Sequence, residues 1–190
     1  MCGRYSLFAN QADLEARFGV TFDFAFEPRY NAAPGQNLPV VTDDNPDSVS
    51  RLEWGLVPRW ADDASDRHIN ARSETVTDRP AFADAYESRR CLVLADGFYE
   101  WSDTPDGKQP YRVAFEDDRP FAMAGLWERW TPPTRQTGLG DFGDGTAETP
   151  GEEPIETFTV LTTEPNAVVG PLHHRMPVVP TPEAEAACRD

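Results

Sequence analysis

CLVLADGFYEW, residues 91–101, joins a buried strand to the first arm of a hairpin. Its first five residues, Cys91 to Ala95, are apolar without a break. A short apolar run of this kind reads as a buried strand. Residues 97–101 (GFYEW) and 110–115 (PYRVAF) stand on either side of Asp106-Gly107. That dipeptide favours a tight hairpin turn, because its second residue accepts positive φ. Further out, residues 38–42 (LPVVT) and 49–54 (VSRLEW) read as strands joined by an Asp/Asn/Pro turn. Residues 121–127 (FAMAGLW) and 157–163 (TFTVLTT) are two more.

Helical signals are few. Asn10 to Phe18 reads as a short helix, with Asn10 as N-cap, Asp13 at N3, and Leu14 and Phe18 on one face. Asp78 to Glu87 reads as a second, with Pro80 in its first turn. Residues 131–156 are rich in Gly, Pro, Thr and acids and read as an exposed insertion. Seven strand candidates against so few helices predict an α+β or mainly β domain. A chain of 190 residues falls within the usual size of one domain, so residues 1–190 are expected to fold together.

Composition narrows the classes. Asp and Glu number 33 against 17 Lys and Arg, a net charge of −16, and Lys108 is the sole lysine. An acidic coat argues on its face against nucleic acid and fits a halophilic cytoplasm, where carboxylates keep protein soluble. A nucleic-acid role then requires the arginines to cluster on one face. No apolar run reaches the length of a membrane span. Cys2, Cys91 and Cys188 are far apart and suggest free thiols in a reducing, cytoplasmic setting. No Cys/His spacing suggests a metal, and no cofactor motif is present.

Five segments carry groups capable of chemistry. Cys2 becomes the N-terminal residue if Met1 is removed, which sets an α-amine and a thiol on adjacent carbons. That pair can trap an aldehyde, the amine as a Schiff base and the thiol by closing a thiazolidine ring; a Cys after Met is otherwise a small buried residue. In INARSETV (69–76), Asn70, Arg72 and Glu74 alternate, so an extended backbone points them to one side. They offer an amide and a phosphate-matching fork, or only a polar edge strand. In DGFYEW (96–101), Glu100 sits between Tyr99 and Trp101. A carboxyl among aromatics can shuttle protons and Trp101 can stack on a base, unless the pair simply ends a hairpin. PLHHRMP (171–177) brings His173, His174 and Arg175, an acid–base group and a cation or a surface patch. In WGLVPRWA (54–61), Trp54, Pro58 and Trp60 form either an apolar wedge beside a groove or core packing.

MCGRY (1–5), RYNAAPGQ (29–36), WGLVPRW (54–60), INARSET (69–75), CLVLADGFYEW (91–101), FAMAGLW (121–127) and LHHRMPV (172–178), in this order, resemble the SOS response-associated peptidase (SRAP) family. The resemblance spans nearly the whole chain. It implies one mixed domain with a barrel-like sheet core, a groove for single-stranded DNA, and a thiazolidine crosslink to the opened sugar of an abasic site. On that likeness Cys2 is the nucleophile. Asn70 orients its amine and the sugar, Glu100 transfers protons, and His173 assists ring opening and crosslink reversal. Arg4, Arg72 and Arg175 look like phosphate ligands, with Arg79, Trp101 and Thr162 in the same groove. A monomer is expected, and members of the family continue for a further segment beyond this C-terminus. Two other functions remain open at this stage. A thiol, a carboxylate and a histidine suit a cysteine peptidase or a self-processing one, and a DNA-binding module without chemistry would use Cys2 only for packing.

Overall fold

A computed structural model describes residues 2–133 and 153–188. Of the insertion expected at 131–156, residues 134–152 lie outside the described residues. The element order is β1 (Tyr5–Leu7), α1 (Gln11–Phe18), β2 (Arg29–Ala32), β3 (Asn37–Thr42), β4 (Asn45–Trp54) and β5 (Asn70–Arg72). After a 3-10 turn at Val76–Asp78 come α2 (Ala83–Ser88), β6 (Arg90–Ala95), β7 (Gly97–Thr104), β8 (Gly107–Val113) and β9 (Phe121–Trp130). β10 (Ile155–Thr163), β11 (Met176–Pro177) and α3 (Pro182–Ala187) complete it. The fold is α+β in one domain, with a mixed sheet closed on itself.

Five strands make the barrel, in the order β10-β4-β3-β6-β9, and β9 pairs β10 to close the ring. β10 runs parallel to β4, with Phe158 opposite Trp54, and antiparallel to β9, with Phe158 opposite Trp127. Closure leaves no barrel edge open to pairing with another chain. The interior explains why 91–95 carries no polar residue: Cys91, Leu92, Val93, Leu94 and Ala95 are all fully buried. At its centre the Trp54 ring stacks on Phe158 at 6.2 Å and meets Tyr5 at 5.3 Å. Its indole Nε1–H donates to the Ile69 carbonyl at 2.9 Å. Gly125 lies where β9 crosses its neighbours. A Cβ there would come within 2.7 Å of the Thr159 carbonyl and 2.9 Å of Cys91 Sγ, so the closing strand needs a residue without one.

The second sheet has four strands, β2-β1-β7-β8, and carries the N-terminal strand. The β7–β8 hairpin turns at Pro105-Asp106, one residue before the expected Asp106-Gly107, and Gly107 opens β8 opposite Thr104 at φ 119°. Asp96, between β6 and β7, fastens β1. Its buried carboxylate accepts from Ser6 Oγ at 2.6 Å, Ala9 N at 2.9 Å, Phe8 N, and Arg112 Nη2 at 3.2 Å.

α1 begins as its sequence predicts, the Asn10 side chain accepting from Asp13 N at 2.9 Å. The helix expected over 78–87 differs. Proline disfavours the helical region for the residue before it. Arg79 before Pro80 is accordingly extended (φ −98°, ψ 119°), and α2 starts only at Ala83. β4 starts at Asn45 and β10 at Ile155, earlier than expected, because both ends find partner strands.

Candidate active site

The N-terminal strand is held where the two sheets meet. β1 belongs to the four-stranded sheet, pairing Tyr5 with Phe98 of β7. The pairing continues past the strand, for Tyr99 N–H donates to the Arg4 carbonyl at 2.9 Å. On the other side, Asn70 Nδ2 donates to the Cys2 carbonyl at 2.9 Å. Asn70 opens β5, which pairs in parallel with barrel strand β10, Asn70 opposite Val160. The second Asn70 amide atom, Oδ1, is buried and has no hydrogen-bond partner among the described residues.

Cys2 is fully buried, its Sγ 3.8 Å from the Arg4 carbonyl. Burial pushes its thiol up to about 12, and the negative charge of Glu100 adds to the effect. Glu100 is buried on β7, and that burial raises its own carboxyl above the usual range. The alternation of β7 decides which side chains turn inward: Phe98 and Glu100 are buried, Trp101 is exposed. His173 and His174 stack with ring centroids 4.2 Å apart. His173 Nδ1 faces the Arg175 backbone, 3.0 Å from its N–H and 3.2 Å from its carbonyl, which fixes the ring in place. Burial lowers the His173 pKa. His174, to which the family likeness gives no role, also belongs here: its charge acts on Glu100, and His173 beside it lowers its own pKa.

A cleft of about 490 Å³ opens from Asn70. Asn70, Arg72, Arg79 and Thr162 line it, so four of the ten residues given roles by the family likeness meet there. Trp60, His68 and Phe82 supply apolar and aromatic wall. Arg72 and Arg79 are exposed, while Thr162 is buried with its Oγ1 donating to the Ala71 carbonyl at 3.3 Å. Arg4 and Trp101 lie instead on the four-stranded sheet. Arg4 Nη1 donates to Asn31 Oδ1 at 3.0 Å, and Trp101, opposite Pro110, is 38% exposed.

Arg175 is placed differently from the other arginines. It is 8% exposed, and its fork pairs both oxygens of Glu74, Nη1 at 2.7 Å and Nη2 at 2.8 Å. Nη2 also donates to the Thr162 carbonyl. The fork is thereby committed to protein, and it ties the His173 segment to the turn after β5. The proposed wedge of Trp54, Pro58 and Trp60 does not form as a unit. Trp54 and Pro58 are buried, because Trp54 fills the barrel, while Trp60 is 58% exposed with its Nε1 donating to the Pro80 carbonyl at 3.3 Å. Among the described residues no group of three His, Cys, Asp or Glu could hold a metal, and no helix is long and apolar enough to cross a membrane.

A small mixed barrel whose second residue, a cysteine, is gripped by an asparagine, beside a buried carboxyl and a histidine pair, defines a narrow class of protein. The chain belongs to the SOS response associated peptidase (SRAP) family, which it matches over residues 1–187. It is 36% identical over 192 residues to the abasic site processing protein YoqW of Bacillus subtilis, covering 97% of this chain and 78% of that one. It is 32% identical over 187 residues to the abasic site processing protein HMCES of Gallus gallus, covering 81% of this chain and 51% of the avian one. A Bacteroides thetaiotaomicron protein of known crystal structure superposes with a TM-score of 0.82 at 27% identity, over 100% of this chain and 81% of its own.

Proposed function

We propose that this protein processes abasic sites in single-stranded DNA by forming a thiazolidine between Cys2, once Met1 is removed, and the sugar aldehyde. The observation that carries the reading is the grip of Asn70 on Cys2. One amide atom fixes the Cys2 carbonyl, and the other is a buried acceptor beside the same residue. Kinship with proteins named for abasic-site processing supports it.

An abasic sugar equilibrates between a closed hemiacetal and an open aldehyde. Protonated His173 gives its proton to the sugar ring oxygen, the carbon–oxygen bond to that oxygen breaks, and the anomeric hydroxyl returns a proton to the histidine as the aldehyde forms. The Cys2 amine then adds to the carbonyl carbon, and Glu100, with its raised carboxyl, moves the protons by which the adduct loses one water to give the imine. The thiol adds to the imine carbon, its proton passing to nitrogen, and the five-membered ring closes. A thiol held up at about 12 reacts in this order, after the amine has made the electrophile. The same burial weighs against a peptidase mechanism, which needs a ready thiolate. Holding amine, thiol and aldehyde together removes much of the entropic barrier.

The exposed Arg72 and Arg79 in the cleft, and Arg4 on the sheet, are the phosphate ligands in this reading, with Trp101 and Trp60 against bases. Thr162 lines the cleft, and Arg175 braces it from behind through the Thr162 carbonyl. Phosphate binding weakens with salt, so few, well-placed contacts suit an acidic protein in a salt-rich cytoplasm. The protein acts as a monomer on its DNA. Incubation with single-stranded DNA bearing one abasic site, followed by a denaturing gel, tests the proposal. A heat-stable shifted band that disappears in Cys2→Ala is expected. Binding on a native gel with no covalent species would favour a module without chemistry.

A further inference from the structure

We propose that the outer side of the four-stranded sheet carries the flank of the bound DNA strand, with one base stacked on Tyr30. Tyr30, on β2, is 68% exposed, more than any other aromatic ring among the described residues. An exposed ring is ordinarily loose, but this one is held. It stacks on Phe8 at 5.1 Å with planes 18° apart, and the Arg112 guanidinium lies over the Phe8 ring at 4.8 Å. The Tyr30 carbonyl accepts from Tyr99 Oη at 2.9 Å. Arg112 is itself tied to Asp96 and to Ser6, so the stack is built on the same anchor as β1. A ring ordered beforehand loses little side-chain entropy when something stacks on it.

Continuity with the active site identifies the occupant. Asn31, next to Tyr30, accepts from Arg4, which stands two residues from Cys2. Arg29 precedes Tyr30 on β2, about half exposed, with Glu27 as its 3.5 Å partner. A strand whose abasic sugar sits at Cys2 and whose phosphate meets Arg4 is thus led to Tyr30. Every base has a π-face, so a single tyrosine platform extends the site without selecting sequence. The inference rests on the function proposed above and adds a subsite to it.

Fluorescence anisotropy with single-stranded DNA carrying a tetrahydrofuran analogue of the abasic sugar, which cannot react, tests the subsite. A short oligonucleotide is compared with versions lengthened on the 5′ or the 3′ side. In the wild type one lengthened version binds more tightly. Tyr30→Ala loses that gain, about tenfold for one stacked base, and leaves the short oligonucleotide unchanged, while Tyr30→Phe keeps it. No gain from either extension, or a Tyr30→Ala loss that is equal for short and long DNA, overturns the proposal. Crosslinking of a short oligonucleotide with a true abasic aldehyde is read in parallel on a denaturing gel. Its absence in the wild type counts against the function, whereas its persistence in Tyr30→Ala without any extension effect counts against the subsite alone.

Discussion

Asn70 divides its amide between two tasks: Nδ2 holds the Cys2 carbonyl at 2.9 Å, and Oδ1 remains a buried acceptor without a partner among the described residues. A buried acceptor left unmade costs stability, and a ligand group that donates to it recovers that cost. A neutral or protonated amine at the N-terminus, or a hydroxyl of the opened sugar, has the donor required. Asn70→Ala and Asn70→Asp are therefore expected to slow crosslinking on the order of 100-fold, since misplacement of a reacting group by an ångström has that effect. Single-turnover gels give the rate. An Asn70→Ala rate equal to that of the wild type would remove Asn70 from the chemistry.

The Cys2 thiol should resist alkylation. It is fully buried and pushed up to about 12, so little thiolate exists at pH 8. With iodoacetamide on the folded protein, mapped by mass spectrometry, the half-buried Cys188 is expected to label before Cys2. Urea should abolish the difference. Faster labelling of Cys2 in the folded state would contradict the buried thiol and reopen a thiolate mechanism.

Asp96 is the anchor of the N-terminal strand, and Asp96→Ala strands Ser6 and Arg112 without their buried partner. Arg112 keeps Asp118 and the residue-96 carbonyl, but the buried donors that lose the carboxylate cost about 1–3 kcal/mol each. Urea denaturation should show a loss of that order, with crosslinking slowed in the surviving folded protein because β1 is no longer held. A loss below about 1 kcal/mol, the usual worth of an exposed pair, would mean that the carboxylate is peripheral.

The Glu74–Arg175 pair gives a pH signature. Arg175 beside Glu74 holds its carboxyl at about 2, below the usual 4.5. A depressed carboxyl contributes stability that is present above pH 4.5 and is lost as pH falls through 2. The melting temperature of the wild type should therefore exceed that of Glu74→Gln at pH 6, with the gap closing on acidification across that window. A gap that stays constant would show that the pair is not what Glu74 contributes. The pair is exposed on the Glu74 side, so the effect is expected to be modest and to shrink with salt.

Local chemistry made much of the fold legible before the structure. The unbroken run at 91–95, the hairpin near Asp106 and the Asn10 cap each act through neighbours in sequence; the run and the cap appear as expected, and the hairpin turns one residue earlier, at Pro105-Asp106. The helix expected from Asp78 starts instead at Ala83, because Pro80 constrains the residue before it and removes Arg79 from the helix. Asp96 gave no signal, since its partners Ser6 and Ala9 lie 90 and 87 residues away and Arg112 comes from the next hairpin. Arg175 read as a phosphate fork for the same reason. Nothing in LHHRMP reveals that Glu74, 101 residues earlier, occupies it. The family likeness names Asn70, Arg72, Arg79 and Thr162; the parallel pairing of β5 with β10 brings Asn70, Arg72 and Thr162 together, and the extended backbone at Arg79 adds the fourth.

The most direct measurement is mass spectrometry of the peptide left on single-stranded abasic DNA after crosslinking and digestion of both partners. The expected species begins at Cys2, lacks Met1, and weighs the sum of peptide and opened sugar less one water, with fragmentation placing the added mass on Cys2. An adduct that retains Met1, or one mapped to any other residue, would contradict a thiazolidine at the N-terminal cysteine.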